Sequence, residues 1–261
     1  MFGEDVQYRE EEANEGQGYK RAIWSVGFGL QAVDGLVPSG YMVELAEAHV
    51  LGQKSYEEIE SELNVFYGES GSEETMEADY ASLRIVEILS TDGFVFSPAT
   101  LLGYHRLLFS DVESFGYPVG KFRDVNITKD EAVLNGETVI YGDFRMLKDT
   151  LMWDFEQEKD KDYTHMGKSD VVFEVMDFIS DVWQIHPFRD GNTRTIAVFA
   201  IKYLRYLGFE VDNEPFKMHS KFFRDALVFA NCHKEMRTDK YFRMFVENAL
   251  LGAEHELVIG D

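Results

Sequence analysis

The 261-residue chain carries 48 acidic residues against 25 basic ones, a formal charge of −23, and is 45% hydrophobic. That is enough apolar material for a packed core. The acidic excess argues against a basic nucleic-acid face and against docking on anionic lipid. A single cysteine, Cys232, excludes an internal disulfide and a multi-cysteine metal site, and it fits a reducing, cytoplasmic setting.

Residues 1–20 open as "MFGEDVQYREEEANEGQGYK", polar and Gly-containing, and read as a loose tail with neither a signal peptide nor a membrane span. Residues 21–68 read as a small helical module. In "PSGYMVELAEAHVLG", Met42, Leu45, Ala46 and His49 fall at helical spacing, with Pro38 and Ser39 at the start and Gly52 as a stop. In "SYEEIESELNVFYG", Ser55 and Glu58 fit a capping box. The polar stretch 69–78 reads as a linker. Residues 79–252 read as the main core, with helices over 80–91 and 98–110. The alternation around Asn135-Gly136 predicts a small β-hairpin at about 133–141. From 144 onward the pattern is helical again, with an apolar stripe from Val172 to Trp183 and a segment, "TIAVFAIKYLRYLGF", apolar nearly all round and so central. Residues 253–261 read as a C-terminal tail. The fold class is mainly α with one small hairpin.

The chemistry concentrates in "HPFRDGNTRT", residues 186–195. Pro187 ends the preceding helix, and a new helix begins near Gly191 or Asn192. The loop therefore feeds a helix N-terminus, where free N–H groups and the helix dipole favour an anion such as phosphate. Gly191 allows close backbone approach, Asn192 offers a neutral donor and Arg194 a charged fork. Asp190 is a hard oxygen ligand suited to Mg²⁺. His186 titrates near neutrality and can take a proton from a hydroxyl. Phe188 is expected to turn inward as an anchor.

This stretch resembles the signature of Fic-domain proteins: His, any residue, Phe, any residue, Asp or Glu, Gly, Asn, usually Gly, Arg. The resemblance implies a Fic-type helical core with a small β-hairpin flap ahead of the motif, here "VLNGETVIYG", preceded by a small antitoxin-like helical module. It implies a protein adenylyltransferase that moves AMP from ATP to a Tyr, Thr or Ser hydroxyl. By the same resemblance His186 would be the general base. Asp190 would hold the Mg²⁺, Gly191, Asn192 and Thr193 would line the anion hole, and Arg194 would bind the β-phosphate. The target hydroxyl would dock on the flap, and Asn231 lies where family members contact the nucleoside. Self-modification or assembly with a second copy is compatible with this reading.

Two positions depart from the family pattern. Thr193 replaces a Gly, so the backbone there must work without positive φ. Ala197 stands where many members carry a second Arg that contacts the γ-phosphate. The family's inhibitory helix ends Ser/Thr, three residues, Glu, Gly. Here "EAHVLG" has Glu47 and Leu51 at the two informative places, which implies that the usual salt-bridge brake is absent or altered. The alternatives to an AMP-transferase are a Fic-fold transferase with another nucleotide or phosphodiester donor, and a non-catalytic nucleotide-binding interaction protein.

Overall fold

The computed structural model describes residues 4–69, 73–112 and 115–260, with side chains of the first helix from Gly16 on. Eleven α-helices are described: α1 Glu4–Gly29, α2 Gly40–Val50, α3 Tyr56–Glu69, α4 Glu73–Ser90, α5 Pro98–Phe109, α6 Leu147–Lys159, α7 Lys168–Ile185, α8 Asn192–Tyr206, α9 Glu214–Met218, α10 Ser220–Asn231 and α11 Lys240–Leu251. No helix among the described residues is long and apolar enough to cross a membrane.

Local chemistry sets several boundaries as the sequence predicts. The Ser39 side chain accepts the Met42 N–H and caps α2, and Ser97 caps α5 with Pro98 in its first turn. Ser55 and Glu58 form the reciprocal capping box of α3. Every residue of α8 from Asn192 to Leu204 is buried, so this helix is the axis, with α4, α5 and α7 packed around it. Phe96, Phe155, Phe178, Phe199 and Tyr203 form an aromatic cluster on one side.

Other expectations are corrected. Where the sequence suggests a loose tail over 1–20, residues from Glu4 onward belong to α1. That stretch is rich in Glu, with two Gln, residue types that tolerate a helix well, and Ile23, Trp24 and Val26 bury the C-terminal half of α1. Residues 73–78 of the expected linker are the first turns of α4; its residues 70–72 lie outside the described residues. The N-terminal helices share one core with the rest: α1 packs along α4, and a 3₁₀ turn, Leu30–Asp34, reaches α8 and α10. Beyond α11, Leu257 is buried, and His255 is tied to Asn248.

The hairpin expected at 133–141 is not a β-ladder, and no strand occurs among the described residues. Ala132–Leu134 make a 3₁₀ turn, and Asn135 and Gly136 take the positive φ the sequence predicts (56° and 90°). Glu131 and Glu137 pair through one backbone bond, but the next N–H along, that of Lys129, goes to the Thr138 hydroxyl. Pairing therefore stops after one rung. The far arm instead docks on the end of α7, where Gln184 donates to Ile140 O and accepts from the Gly142 N–H.

Candidate active site

α7 ends because His186 turns left-handed (φ 53°, ψ 63°) and Pro187 follows. α8 starts at Asn192 after Gly191, also left-handed (φ 71°). A side chain at 191 would run into the Phe109 ring. The Asn192 carboxamide closes the loop on itself, accepting from Phe188 N–H and donating to Phe188 O, both at 3.0 Å. Phe188 is fully buried and stacks on His105 with ring centroids 3.8 Å apart, the inward anchor the sequence predicts. Thr193 needs no unusual backbone because it is already helical, and its hydroxyl accepts from Trp183 Nε1 at 2.9 Å.

The His186 ring is half-buried. Its Nδ1 lies 3.2 Å from the Trp183 carbonyl oxygen. A carbonyl can only accept, so Nδ1 carries the proton and Nε2 keeps a lone pair. Tyr141 packs against the ring at 4.1 Å. Burial holds the imidazole pKa well below its ordinary range, and the nearby cations Arg123, Lys129 and Arg224 act in the same direction; the Trp183 carbonyl opposes them. His105 is fixed in the other tautomer: the Gly120 N–H donates to Nδ1 at 2.8 Å, so Nε2–H donates to Asp190 O at 3.1 Å. Burial lowers its pKa to about 4.

Both rings therefore bind fewer protons in the native chain than in the unfolded one, so stability is complete above the unfolded value and falls as pH drops toward the folded one. For His105 the loss between neutrality and pH 4 is about 3 kcal/mol. Denaturant unfolding from pH 7 to 4 should show wild type losing stability relative to His105→Gln as pH falls; parallel curves would contradict it.

Arg194 is completely buried; Nη1 and Nη2 are hydrogen-bonded, while Nε makes an ion-pair contact without a hydrogen bond. Its Nε lies 2.8 Å from Asp34 Oδ2, Nη2 2.5 Å from Glu77 Oε1 and Nη1 3.1 Å from Gln31 Oε1, with the guanidinium over the Phe109 ring. His186, Asp190, Asn192 and Thr193 line one small cavity together with Asp34 and Tyr141. Its volume, ≈ 20 Å³, holds about one water and no nucleotide. Four of the six residues singled out in the motif thus meet at one cavity. Gly191 shapes the turn beside it, and Arg194 is drawn toward the acids of the N-terminal half.

The two informative positions of "EAHVLG" do not face the motif helix. Leu51 is 46% exposed while Ala197 is fully buried, and Glu47 pairs with Arg21 at the surface. The acids that reach the motif come instead from the 30–34 turn and α4. Asn231 sits beside a larger cavity of ≈ 630 Å³ that also involves Ile140, Gln184 and Arg237. Its amide nitrogen, however, is spent on Ser180 Oγ and Leu227 O. Asp34, Glu77, His105 and Arg123 were not singled out from sequence, and no local pattern marks them; they act on the loop across 63 or more residues of chain.

No group of three or more His, Cys, Asp or Glu residues that could hold a metal occurs among the described residues. Asp190 Oδ1 accepts the Gly191 N–H at 2.6 Å, and Oδ2 has no protein partner among the described residues. One free carboxylate oxygen at a phosphate-type loop fits an Mg²⁺ that takes most of its ligands from phosphate and water.

The Fic/DOC family profile matches residues 95–204. A 51-residue stretch is 43% identical to "Probable protein adenylyltransferase y4lH" of Sinorhizobium fredii, covering 20% of this chain and 26% of that protein, about a quarter of the relative's length. The fold is similar to the crystal structure of a Fic domain containing signaling protein from Bacteroides thetaiotaomicron, with a TM-score of 0.55 and 14% identity over 91% of this chain and 84% of that one. The profile covers the motif loop together with α5 to α7 and nearly all of α8, so the likeness to the Fic/DOC family rests on this 95–204 segment.

Proposed function

We propose that the chain is a protein adenylyltransferase that moves AMP from ATP to a Tyr, Thr or Ser hydroxyl of a target protein. The observation that carries this reading is the His186 tautomer: Nδ1–H is committed to Trp183 O, which leaves Nε2 as a base in the cavity shared with Asp190, Asn192 and Thr193. Nε2 takes the proton of the attacking hydroxyl, whose oxygen bonds to the α-phosphorus as the bond to pyrophosphate breaks. The first N–H groups of α8 have no intrahelical partner and receive phosphate oxygens. Mg²⁺, held by Asp190 and the phosphates, supplies charge neutralisation when bound. Arg194, once released from its carboxylates, offsets charge on the departing pyrophosphate. The target would approach along the 133–141 segment, whose Tyr141 already touches His186. The N-terminal helices act in this reading as an antitoxin-like module that withholds Arg194.

A second reading is favoured by one observation. Ala197 is buried and offers no cation to a γ-phosphate, so a donor other than ATP is the alternative. Incubating the protein with cell extract and labelled ATP, UTP, GTP or CTP separates the two. Transfer from ATP well above the other three is expected; preference for another nucleotide would replace the adenylyl assignment, and no transfer from any donor would remove the enzymatic one.

A further inference from the structure

Arg123 lies on the connection between α5 and α6. It is 3% exposed and makes no salt bridge among the described residues. Burying a guanidinium without a directly paired carboxylate is costly; burial lowers its pKa and Arg189 adds to this, while the nearby Asp143 opposes both. The whole fork is spent on backbone carbonyls. Nε donates to His186 O at 2.8 Å and Nη1 to Val125 O at 2.6 Å. Nη2 donates to Gly142 O and, at 3.4 Å, to Ile185 O. Its own amide N–H donates to Pro187 O at 2.9 Å. Three segments that are separate in sequence meet on this one side chain: its own connection, the end of the flap, and the turn from α7 into the loop.

His186 needs such a hold. It is one of two non-glycine residues with positive φ among the described residues, a conformation that persists only when its surroundings over-determine it. The left-handed turn swings its carbonyl out of the α7 ladder, and Arg123 Nε is the donor that receives it. The other end of the loop is held independently, by His105 on Asp190 O. The two anchors therefore divide the loop: Arg123 fixes the residue that carries the imidazole, and His105 fixes the turn that leads into the anion-binding N-terminus of α8.

We propose that Arg123 is a positioning residue for hydroxyl activation, locking the His186 backbone and the end of the flap into one body while leaving the nucleotide-binding turn to other anchors. This rests on the reading of His186 as the base. Lys is a poor substitute, because a single ammonium cannot reproduce the planar fork that reaches several carbonyls at once.

The test compares wild type, Arg123→Met and Arg123→Lys in the full chain. Hydrogen exchange, which needs no catalytic activity, should show 139–143 and 184–188 losing protection together in Arg123→Met while 190–195 keep theirs. In label transfer at saturating Mg·ATP, kcat should fall about 10²-fold, as for a reacting group displaced by roughly 1 Å. Calorimetric Kd for Mg·ATP should change by less than about threefold. Arg123→Lys should fall between the two and shows the same split if the Met variant fails to fold. Unchanged exchange over 184–188, or losses of kcat and affinity in equal proportion, would overturn the proposal. A wild type without transfer would remove the base assignment and with it the catalytic half of the proposal, while the exchange result would still decide whether Arg123 holds the loop.

Discussion

His186→Ala is expected to leave a folded protein whose transfer rate is lower by about 10²–10⁴-fold, the contribution of a positioned general base. The fold should survive because the residue is only partly buried, lies at a helix terminus and contributes one side-chain hydrogen bond, to Trp183 O. The residue is left-handed, so His186→Asn, a type that tolerates that conformation, controls for backbone strain in the Ala variant. Both should unfold within a few °C of wild type, as for a substitution worth about 1 kcal/mol or less. Label transfer at saturating donor, read beside thermal unfolding, checks this. Transfer at the wild-type rate in either variant would show that the hydroxyl proton leaves by another route, and Nε2 would then be a spectator.

Asp34→Ala should act in the opposite sense on nucleotide binding, raising affinity for Mg·ATP by at least about tenfold, or 1.4 kcal/mol. Asp34 does two things in the structure. It pairs with Arg194 Nε at 2.8 Å, and it is one of the residues lining the ≈ 20 Å³ cavity beside His186. A phosphate must displace it on both counts. Glu77 remains on Nη2, so Arg194 is not left as a naked buried charge. The loss of stability without ligand should accordingly be about 1–3 kcal/mol, below the cost of breaking a fully buried pair. Asp34→Asn, which keeps the shape and removes the charge, should show a similar gain in affinity with less destabilisation. Calorimetry with Mg·ATP and unfolding without ligand measure the two effects separately. Equal affinity in wild type and both variants would mean that the carboxylate moves aside at negligible cost and that the N-terminal half does not restrain the site.

By itself the sequence determined the helical class, the capping of α2 and α3, the central placement of α8 and the motif loop with its inward Phe188. All of these rest on interactions within a few residues: helical periodicity, a capping box at i and i+3, a proline that stops a helix, a glycine that starts the next. The tight turn at Asn135-Gly136 was legible for the same reason, but the ladder expected beside it was not formed, because its far arm docks on α7 instead. The charge state of the site was decided only by tertiary structure. "EAHVLG" looked like the segment facing the motif, yet α2 turns Leu51 to solvent, and the carboxylates on Arg194 come from Asp34 and Glu77, 117 or more residues away in the chain. The low pKa values of His105 and His186, and the tautomer that leaves Nε2 of His186 free, likewise depend on burial and on carbonyls whose positions packing alone fixes. Arg123 shows the same limit: nothing in "GKFRDV" marks it, because its partners are backbone carbonyls, which every residue has and which only the folded chain brings together.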